Sequence, residues 1–507
     1  MNVIDTDVLV IGAGAAGIRA ALAASEEGAN VTMINRTEPA NSGSTFSNLS
    51  GGWGIQALLD DERTEAQLEP FYEEIVKIGL GICDLSLVRI LVEESVPRLK
   101  DLITYGLRLK KDPSGNYLRV KGCFSKHERA FITESMANIK KTFQAMLNRS
   151  RAKVINGSAL ELIKAHDECW GAWILTYGNH MLQITAKSTI LATGGGAGIY
   201  RDHLVGDDQV GEGYALAHRI GAKLINLEFI QFMPGLQKGG TRLFLPLSDL
   251  QEPDMLLDSE GHDLLEAQLP YPLTRAEVIE SRKKHFPFSC RDVSYLVDIA
   301  IAMERDSGRE VFWGKCQKMG ESIRVVHYSH AFNGGIKINE RAESTIPGLF
   351  AAGEVAAGCH GADRIGGCMM TATQVFGKRA GKFAALRVKK TDKTAEEITI
   401  PENILKLHHH MPLYCNNESP NHIVEEIRET FSQETMLLRN KNGLTSCLSK
   451  IKRAKKEIEE HCMERYVANL TNLNMLQVME LIARVALKRN ESMGPHYRSD
   501  YPPESPS

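Results

Sequence analysis

A chain of 507 residues with 43% hydrophobic residues is long enough for two or three domains with sizeable cores. The net charge is -3, and the 60 basic and 63 acidic residues are interspersed along the chain. This charge pattern does not indicate binding to nucleic acid or to an anionic membrane. No apolar run approaches the roughly 20 residues that cross a bilayer.

The N-terminus enters an apolar strand at once and lacks the charged, apolar and cleavage regions of a signal peptide. The ten cysteines are scattered and include no C-x-x-C pair. A disulfide framework or a zinc site is therefore not expected, and the pattern predicts a cytoplasmic protein in a reducing compartment.

The stretch DVLVIGAGAAGIRAALAASEEGANVTMIN is typical of a strand, a tight turn, a helix and a second strand. Gly12, Gly14 and Gly17 form G-x-G-x-x-G, which permits the turn, the approach of a pyrophosphate and close packing of helix and strand. Ala15 and Ala16 open the helix, whose free N–H groups would face the phosphates. The alternative is an ordinary glycine turn; the strand–turn–helix context favours a dinucleotide.

The second strand ends at Asn35, where an acid would usually accept a hydrogen bond from the adenosine ribose. An asparagine can still accept this bond through its side-chain carbonyl. Asn35 and the adjacent Arg36 are therefore expected to contact the cofactor.

Three further stretches contain glycine-rich loops: SGSTFSNLSGG (Ser42–Gly52), STILATGGG (Ser188–Gly196) and IPGLFAAGEVAAG (Ile346–Gly358). Together with GDDQVGEGYALAHRIGAKL and ALKRNESMGPHYRSDYP, they resemble the succinate dehydrogenase/fumarate reductase flavoprotein family, which also contains L-aspartate oxidase. The resemblance extends over nearly the whole chain, from Val8 to Tyr501. Glu212 stands where this family has an aspartate.

The resemblance implies that these segments wrap FAD. The residues it adds to the cofactor site are Ser42, Gly43, Ser44, Thr45, Ser50, Gly51, Gly52, Ala192, Thr193, Gly194, Gly195, Glu212, Glu354, Arg364, Gly367, Met369 and Met370. No second G-x-G-x-x-G follows a strand, so a dedicated NADH domain is not evident. The expected electron partner is an iron–sulfur or other electron-transfer protein, or a small diffusible acceptor.

Many family members attach FAD covalently through a histidine in the loop that corresponds to Gly43–Thr45. The loop reads SGSTF here and contains no histidine. We therefore expect non-covalent FAD, as in the aspartate oxidase branch.

The resemblance implies an α/β fold with a Rossmann-like FAD-binding domain, an inserted α+β capping domain and a C-terminal helical domain. We expect the FAD domain at residues 1–227 and 325–388, the cap at 228–324 and the helical domain at 404–507. A helical excursion is expected from about 64 to 149. The charged stretch SKIKRAKKEIEEHC predicts a solvated helix face, with a partner-docking surface as the alternative. His408–His410 are not expected to bind metal, because three consecutive histidines cannot share one face.

Three matches locate the substrate in the resembled family. The match of SHAFNGGI implies that His330 is a ligand of a substrate carboxylate. HGADRIGG resembles H-G-A-N-R-L-G-A, which implies that Arg364 is a second ligand of the same carboxylate. SCRDVSYLVDIAIAMERDSG places Arg291 as the proton donor or acceptor opposite the flavin. Arginine suits a carboxylate because its planar fork pairs with both oxygens. As a proton donor it would have to act within a relay, since it hardly deprotonates alone.

The ligands of a second carboxylate are missing. Met233 stands where the family has histidine, and Pro246 and Leu247 fall at its threonine and glutamate. A second carboxylate there would be desolvated without partners, at a cost of several kcal/mol. We therefore expect a substrate with one carboxylate and an apolar remainder, with Met233 and Leu247 lining its cavity. His127, Glu128 and Arg129 are candidates for a replacement proton route, and a solvated loop is the alternative.

The sequence thus predicts an FAD-dependent oxidoreductase that acts on a C=C or C–C bond next to a carboxylate. Two alternatives remain: an amino-acid oxidase related to L-aspartate oxidase, and an electron-transfer flavoprotein subunit with a degenerate substrate site. Retention of Arg291, His330 and Arg364 together argues against the second alternative.

Overall fold

The structure, a computed structural model, describes residues 2–47, 53–178, 180–270, 272–314, 322–391, 421–461 and 466–503. The strands in chain order are β1 Asn2–Ile11, β2 Val31–Asn35, β3 Gly54–Gln56, β4 Arg119–Lys121, β5 Glu128–Ile132, β6 Lys153–Ala165, β7 Glu168–Thr176, β8 Met181–Leu191, β9 Leu224–Ile225, β10 Ile230–Lys238, β11 Thr241–Phe244, β12 Leu256–Leu257, β13 Phe312–Trp313, β14 Arg324–Phe332, β15 Gly335–Lys337, β16 Leu349–Ala351 and β17 Ala356–Ala357.

The helices in chain order are α1 Ala15–Glu26, α2 Glu65–Ile78, α3 Leu85–Thr104, α4 Met136–Ser150, α5 Glu212–Arg219, α6 Leu264–Gln268, α7 Arg275–Arg282, α8 Tyr295–Asp306, α9 Cys368–Val388, α10 Asn421–Thr435, α11 Lys441–His461 and α12 Tyr466–Lys488. Short 3-10 helices lie at Ser44–Phe46, Ala197–Ile199 and Leu247–Gln251.

A six-stranded sheet forms the centre of the first domain. β6, β2, β1, β8 and β16 run parallel in that order, and β7 joins β6 and β8 as an antiparallel strand. The apolar run Val8–Ile11 is buried, as expected for a strand covered on both faces. The carboxyl ends of β1, β2 and β8 therefore meet at one edge of the sheet, where the glycine-rich loops begin.

Helices α1 and α9 pack face to face on this sheet. Their axes approach closely because α9 carries a glycine at the contact: a Cβ on Gly381 would lie 2.1 Å from the carbonyl oxygen of Ala20. This packing fixes the N-terminus of α1 against the start of α9, and both helix starts face the same cavity.

The predicted helical excursion contains α2, α3 and α4. It is interrupted by β4 and β5, which form a small antiparallel sheet with β3. The excursion is therefore mainly helical, with a short sheet that the helical periodicity does not indicate.

A second, five-stranded sheet has the order β11-β10-β14-β13-β12 and is antiparallel where its pairings are defined. Helices α6, α7 and α8 cover it around a separate apolar core that includes Leu250, Val278 and Trp313. This region corresponds to the expected cap. Strand β14 belongs to the cap sheet although it begins at the predicted boundary of 324/325, so the sheet favours a boundary after Phe332. The domain limits remain a prediction.

The tail of the chain is helical where it is described, from α10 to α12. It is tied to the cap by Arg439, which donates a hydrogen bond of 2.8 Å to the carbonyl oxygen of Glu228. Residues 404–420, including His408–His410, lie outside the described residues. Within the described part of the chain, no helix has both the length and the apolar character needed to span a membrane.

Candidate active site

A cavity of about 410 Å³ extends from the turn after β1 to the cap strands β10, β11 and β14. One end is lined by backbone of the first domain, including Gly12 and Gly14. The other end is lined by side chains that include Met233, His330 and Arg364. The predicted cofactor loops and the predicted substrate residues thus share one cavity.

The glycines of the first turn are required by backbone geometry. Gly12 has a φ of +107°, and a Cβ there would lie 2.3 Å from the carbonyl oxygen of Ala192. A Cβ on Gly17 would lie 1.9 Å from the carbonyl oxygen of Gly12. At Gly14 the nearest atom to such a Cβ is the Thr45 hydroxyl oxygen at 3.6 Å, so space remains in front of this backbone. The turn therefore packs closely against neighbouring backbone at Gly12 and Gly17 and leaves space on the cavity side at Gly14. A phosphate site requires this arrangement.

Asn35 and Thr45 support this turn with their side chains. The Asn35 Oδ1 accepts a hydrogen bond of 3.1 Å from the Ala13 N–H, and its Nδ2 donates to the carbonyl oxygen of Thr37 at 2.7 Å. Thr45 Oγ1 accepts a bond of 3.3 Å from the Ala15 N–H at the start of α1. Asn35 therefore already uses its carbonyl to hold the glycine loop, and its expected ribose contact remains a prediction.

Arg36 and Glu212 form an ion pair across the same end of the cavity. Burial raises the pKa of Glu212, and the nearby Arg36 guanidinium opposes that rise. Arg36 also reaches the carbonyl oxygen of Asp208 at 3.5 Å. The ion pair links the loop after β2 to the N-terminus of α5. Only the family resemblance predicted that these two segments lie at the same cofactor site.

Most of the expected cofactor residues line the cavity. Gly17 and Gly195 lie behind its wall; a Cβ on Gly195 would meet Glu354 Oε1 at 2.1 Å. Ser50, Gly51 and Gly52 lie outside the described residues. The expected residues in the wall are Gly12, Gly14, Ala15, Ala16, Asn35, Arg36, Ser42, Gly43, Ser44, Thr45, Ala192, Thr193, Gly194, Glu212, Glu354, Arg364, Gly367, Met369 and Met370.

These residues fit FAD. The turn leaves room in front of Gly14, the start of α1 presents backbone N–H groups, and the buried hydroxyl of Thr193 has no hydrogen-bond partner within the described structure. An extended cavity with such unpaired polar atoms at a helix start is suited to a dinucleotide.

Several wall residues were not predicted from the sequence, among them Trp53, Gln209 and Phe244. Trp53 is fixed by its indole N–H, which donates to the carbonyl oxygen of Thr45 at 3.0 Å. Gln209 lies in a stretch matched to the family, but the match gave no signal for its role. Phe244 lies in TRLFLPL, where Leu243, Phe244 and Leu245 are apolar in succession, so no polar–apolar alternation indicates its role.

Arg364 and His330 form the polar corner at the substrate end. The Arg364 side chain is 7% exposed and donates from Nη2 to the amide oxygen of Gln231. Its Nε and the Nδ1 of His330 are buried and lack hydrogen-bond partners within the described residues. Both residues line the cavity, and their two buried nitrogens without partners can donate to an acceptor such as a carboxylate oxygen.

The charge at this corner comes from Arg364. Burial lowers the pKa of His330 to about 4, with the Arg364 charge adding to the shift, so this imidazole is neutral near pH 7. Burial raises the pKa of Glu354 to about 7, opposed by the hydrogen bond from the Phe332 N–H and by Arg364. Glu354 thus compensates Arg364 only in part near neutral pH.

Arg291 lies in an ion pair and is not part of the cavity wall as described. Its Nε and Nη2 donate to Asp363 Oδ2 at 3.0 and 2.8 Å, and Nη2 also donates to the carbonyl oxygen of Ile78 at 2.8 Å. The guanidinium lies 4.8 Å from the centroid of the Phe124 ring. The structure thus places Arg291 beside the residue that precedes Arg364, and its proton-transfer role remains a prediction.

Met233 and Phe244 are apolar residues of the same cavity wall. Met233 lies on β10 and packs near Tyr328. Phe244 ends β11, is 46% exposed and meets Phe286 edge-to-face with ring centroids 5.2 Å apart. Both side chains line the cavity. The expected contribution of Met233 to the cavity wall is therefore consistent with its position.

The prediction that Leu247 lines this cavity is corrected by its position. Leu247 begins a 3-10 helix after Pro246 and packs against the apolar core of the cap. An alignment of extended segments does not anticipate this short helix. Leu247 is therefore a partly buried residue at the edge of the cap core and is not part of the cavity wall.

The predicted replacement relay also requires correction. His127 and Glu128 are exposed, while Arg129 is buried in an ion pair with Glu74. Burial lowers the pKa of Arg129 to about 10. The Arg129 guanidinium additionally lies 4.4 Å from the centroid of the Phe71 ring. His127 precedes β5, and Glu128 and Arg129 begin that strand; none of the three is part of the cavity wall, and Arg129 makes a structural ion pair.

Comparison with known proteins identifies the class and then the family. Residues 7–370 match the family model described as FAD binding domain, and residues 424–505 match the one described as Fumarate reductase flavoprotein C-term. The protein is therefore an FAD-dependent oxidoreductase, as the sequence predicted. The chain belongs to the succinate dehydrogenase/fumarate reductase flavoprotein family.

Its relatives differ in reaction. One subunit of the fumarate reductase (CoM/CoB) of Methanothermobacter marburgensis is 29% identical, over 99% of this chain and 95% of that protein. The L-aspartate oxidase of Mycobacterium leprae is 27% identical, over 99% of this chain and 93% of that protein. A solved structure of an E. coli quinol fumarate reductase FrdA variant has a TM-score of 0.78 at 20% identity, covering 100% of this chain and 93% of that chain. This last likeness confirms the predicted fold.

Proposed function

We propose that this oxidoreductase reduces a C=C bond, or oxidises the corresponding C–C bond, next to the single carboxylate of a substrate whose remainder is apolar. The observation that carries the proposal is the contrast within one cavity. Arg364 and His330 line the cavity and carry the unpaired Nε and Nδ1, while Met233 and Phe244 contribute apolar side chains to the same wall.

The polar corner supports one anion contact. A carboxylate that accepts from Arg364 Nε and from a protonated His330 Nδ1 would satisfy both buried nitrogens. His330 would donate as a neutral imidazole, because its pKa is lowered to about 4. Fixing the carboxylate also fixes the adjacent carbon and withdraws charge from it, which is the electrostatic part of catalysis.

The apolar wall residues Met233 and Phe244 disfavour the binding of a second carboxylate. The thioether of Met233 and the ring of Phe244 offer no strong hydrogen-bond donor. A carboxylate desolvated against them would cost several kcal/mol, whereas an alkyl or aromatic group would gain from the contact. This contrast favours a monocarboxylate over a four-carbon diacid.

We assign the cofactor contacts to the residues of the glycine cradle and to the wall residues described above. FAD, when bound, supplies two-electron redox chemistry at the carbon next to the carboxylate. We propose that it is held without a covalent histidyl bond, since Gly43–Thr45 offers no histidine. Arg291 is proposed to hold or release the proton at its Nη1, because Nε and Nη2 are already taken by Asp363 and Ile78.

We also propose that electrons are exchanged with a separate protein, in the cytoplasm. The relative from Methanothermobacter marburgensis is named as one subunit of its enzyme, which supports a role as one part of an assembly. The L-aspartate oxidase relative supports the alternative of an amino-acid oxidase. Reoxidation of the flavin by dioxygen with amino acids as donors would favour that alternative.

The proposal is tested by anaerobic reduction of the holoenzyme followed by addition of an enoate. Crotonate and cinnamate should reoxidise the flavin, as read from its visible absorbance. In Arg364→Ala the rate should fall about 100-fold or more, because the charged hydrogen-bond partner of the carboxylate is lost.

The control is Arg324→Ala, which removes an arginine of the same strand as His330 that pairs with Glu310 at the edge of the cap. This variant should retain the rate. Undiminished reoxidation in Arg364→Ala would contradict the carboxylate contact. Absence of reoxidation by any enoate in the unmodified enzyme would contradict the reaction itself.

A further inference from the structure

The two arginines of the predicted substrate site differ in their charge partners. Arg291 forms a two-point ion pair with Asp363, at 3.0 Å from Nε and 2.8 Å from Nη2. Arg364, which directly follows Asp363 in the chain, donates to the neutral amide of Gln231. The Arg291 guanidinium is therefore paired directly with a carboxylate, whereas the Arg364 guanidinium is bonded to a neutral amide and compensated only in part by Glu354.

Asp363 is held as a buried anion. Its side chain is 0% exposed, and its Oδ2 accepts from Arg291 and from the Ser289 hydroxyl at 2.6 Å. Burial raises the pKa of Asp363, and the Arg291 charge opposes that rise. An oxygen that receives three donors acts as an acceptor only, which is the role of an ionised carboxylate. Its second oxygen, Oδ1, is buried and has no partner within the described residues. The pair therefore adds no net charge to the substrate end.

We propose that Asp363 determines the charge of the accepted substrate. By cancelling the charge of Arg291, it leaves Arg364 as the cation available to a substrate anion, so a dianion meets one compensating charge where it needs two. This inference rests on the proposed function, in which Arg364 anchors a carboxylate and Arg291 lies at the reacting end.

The charge effect of Asp363 is independent of the apolar wall. Met233 and Phe244 act by contact, whereas Asp363 acts through the field in a buried site of low effective dielectric. Replacing Asp363 by asparagine keeps the size and one acceptor oxygen for Ser289 and Arg291. It removes one negative charge and thereby leaves a second cation at the site. The site should then accept a dianion better while its shape is unchanged.

The test compares fumarate with crotonate, which share a four-carbon skeleton and differ by one carboxylate. Both are titrated into the oxidised holoenzyme at low salt, and binding is read from the shift of the flavin spectrum. In Asp363→Asn the dissociation constant of fumarate should fall by at least about tenfold, while that of crotonate should change less than about threefold. An unchanged ratio of the two constants would overturn the proposal.

Two further variants separate charge from shape. Arg291→Gln leaves Asp363 without its cation, so both anions should bind more weakly and fumarate should lose more. The double variant Arg291→Gln with Asp363→Asn restores a neutral pair and should return the ratio to that of the unmodified enzyme. A double variant that keeps the ratio of Asp363→Asn would show a shape effect and contradict the proposal.

Asp101→Asn is the matched control. Asp101 lies on α3, is not part of the cavity wall, and pairs with Arg19 of α1 and with Arg98 of α3. Asp101→Asn should leave the ratio of the fumarate and crotonate dissociation constants unchanged. A shift of that ratio as large as in Asp363→Asn would show that the effect is not specific to Asp363 and would contradict the proposal.

Failure of the proposed function is distinguished by Arg364→Ala. Crotonate binding that survives in Arg364→Ala contradicts the carboxylate contact of Arg364, whatever Asp363→Asn shows.

Discussion

The two ends of the cavity are built by different means. At the cofactor end, backbone atoms set the shape, and Gly12 and Gly17 are there because a Cβ would collide with neighbouring carbonyl oxygens. At the substrate end, side chains set the shape and the charge, through Arg364, Met233 and Phe244. The first end can serve a whole family unchanged, whereas the second can change its substrate by exchanging a few side chains.

The largest effect is expected at the cofactor end. In Gly17→Ala the new Cβ would lie 1.9 Å from the carbonyl oxygen of Gly12, and relief requires movement of the turn itself. The variant should be purified without flavin, as measured by the ratio of visible to ultraviolet absorbance. Gly240→Ala is the control, since nothing lies within 4 Å of a Cβ there. Full flavin content in Gly17→Ala would contradict the role of the tight turn.

A smaller effect is expected at the apolar wall. Phe244→Ala removes an aromatic contact, so the affinity for cinnamate should fall about tenfold relative to crotonate. Leu243→Ala changes the neighbouring exposed residue, which is not part of the cavity wall, and should leave this preference intact. Spectral titration of the holoenzyme measures both constants. Equal losses for the two ligands would remove Phe244 from the substrate contact.

The smallest effect concerns pH. The pKa of Glu354 is raised to about 7, so its carboxylate forms as the pH rises through that value and then offsets the charge of Arg364. Crotonate binding should therefore weaken a few-fold between pH 6 and pH 8. His330 should contribute nothing in this range, because its pKa is about 4.

Glu354→Gln removes the titrating group at nearly constant size. Its crotonate affinity should be flat over the same pH range, as measured by the same titration. A dependence on pH that persists in this variant would point to another titrating group and weaken the link between Glu354 and Arg364.

The difference between the two ends also explains what could be predicted from the sequence. Gly12 and Gly17 are identified by spacing because backbone geometry leaves no room for a larger residue. The parallel sheet, the cap and the helical tail were predicted through the family resemblance, and the fold confirms them. The short sheet of β3, β4 and β5 was missed because its strands are brief and interrupt strongly helical sequence.

Side-chain placement at the substrate end was harder to predict. Leu247 was assigned to the cavity by alignment, but it begins a 3-10 helix and packs, partly buried, against the core of the cap. Arg129 was considered for a proton route, but it is buried in an ion pair with Glu74 and is not part of the cavity wall. The pairing of Arg291 with Asp363 joins residues 72 positions apart, and no local pattern reports such a contact.

The central claim is that the substrate end accepts one anion, and it is tested most directly on the unmodified holoenzyme. Crotonate and fumarate are titrated in parallel at neutral pH, and their dissociation constants are compared. The arrangement of Arg364, Asp363 and Met233 predicts that crotonate binds more tightly than fumarate. Fumarate binding that is equal to or tighter than that of crotonate would contradict it.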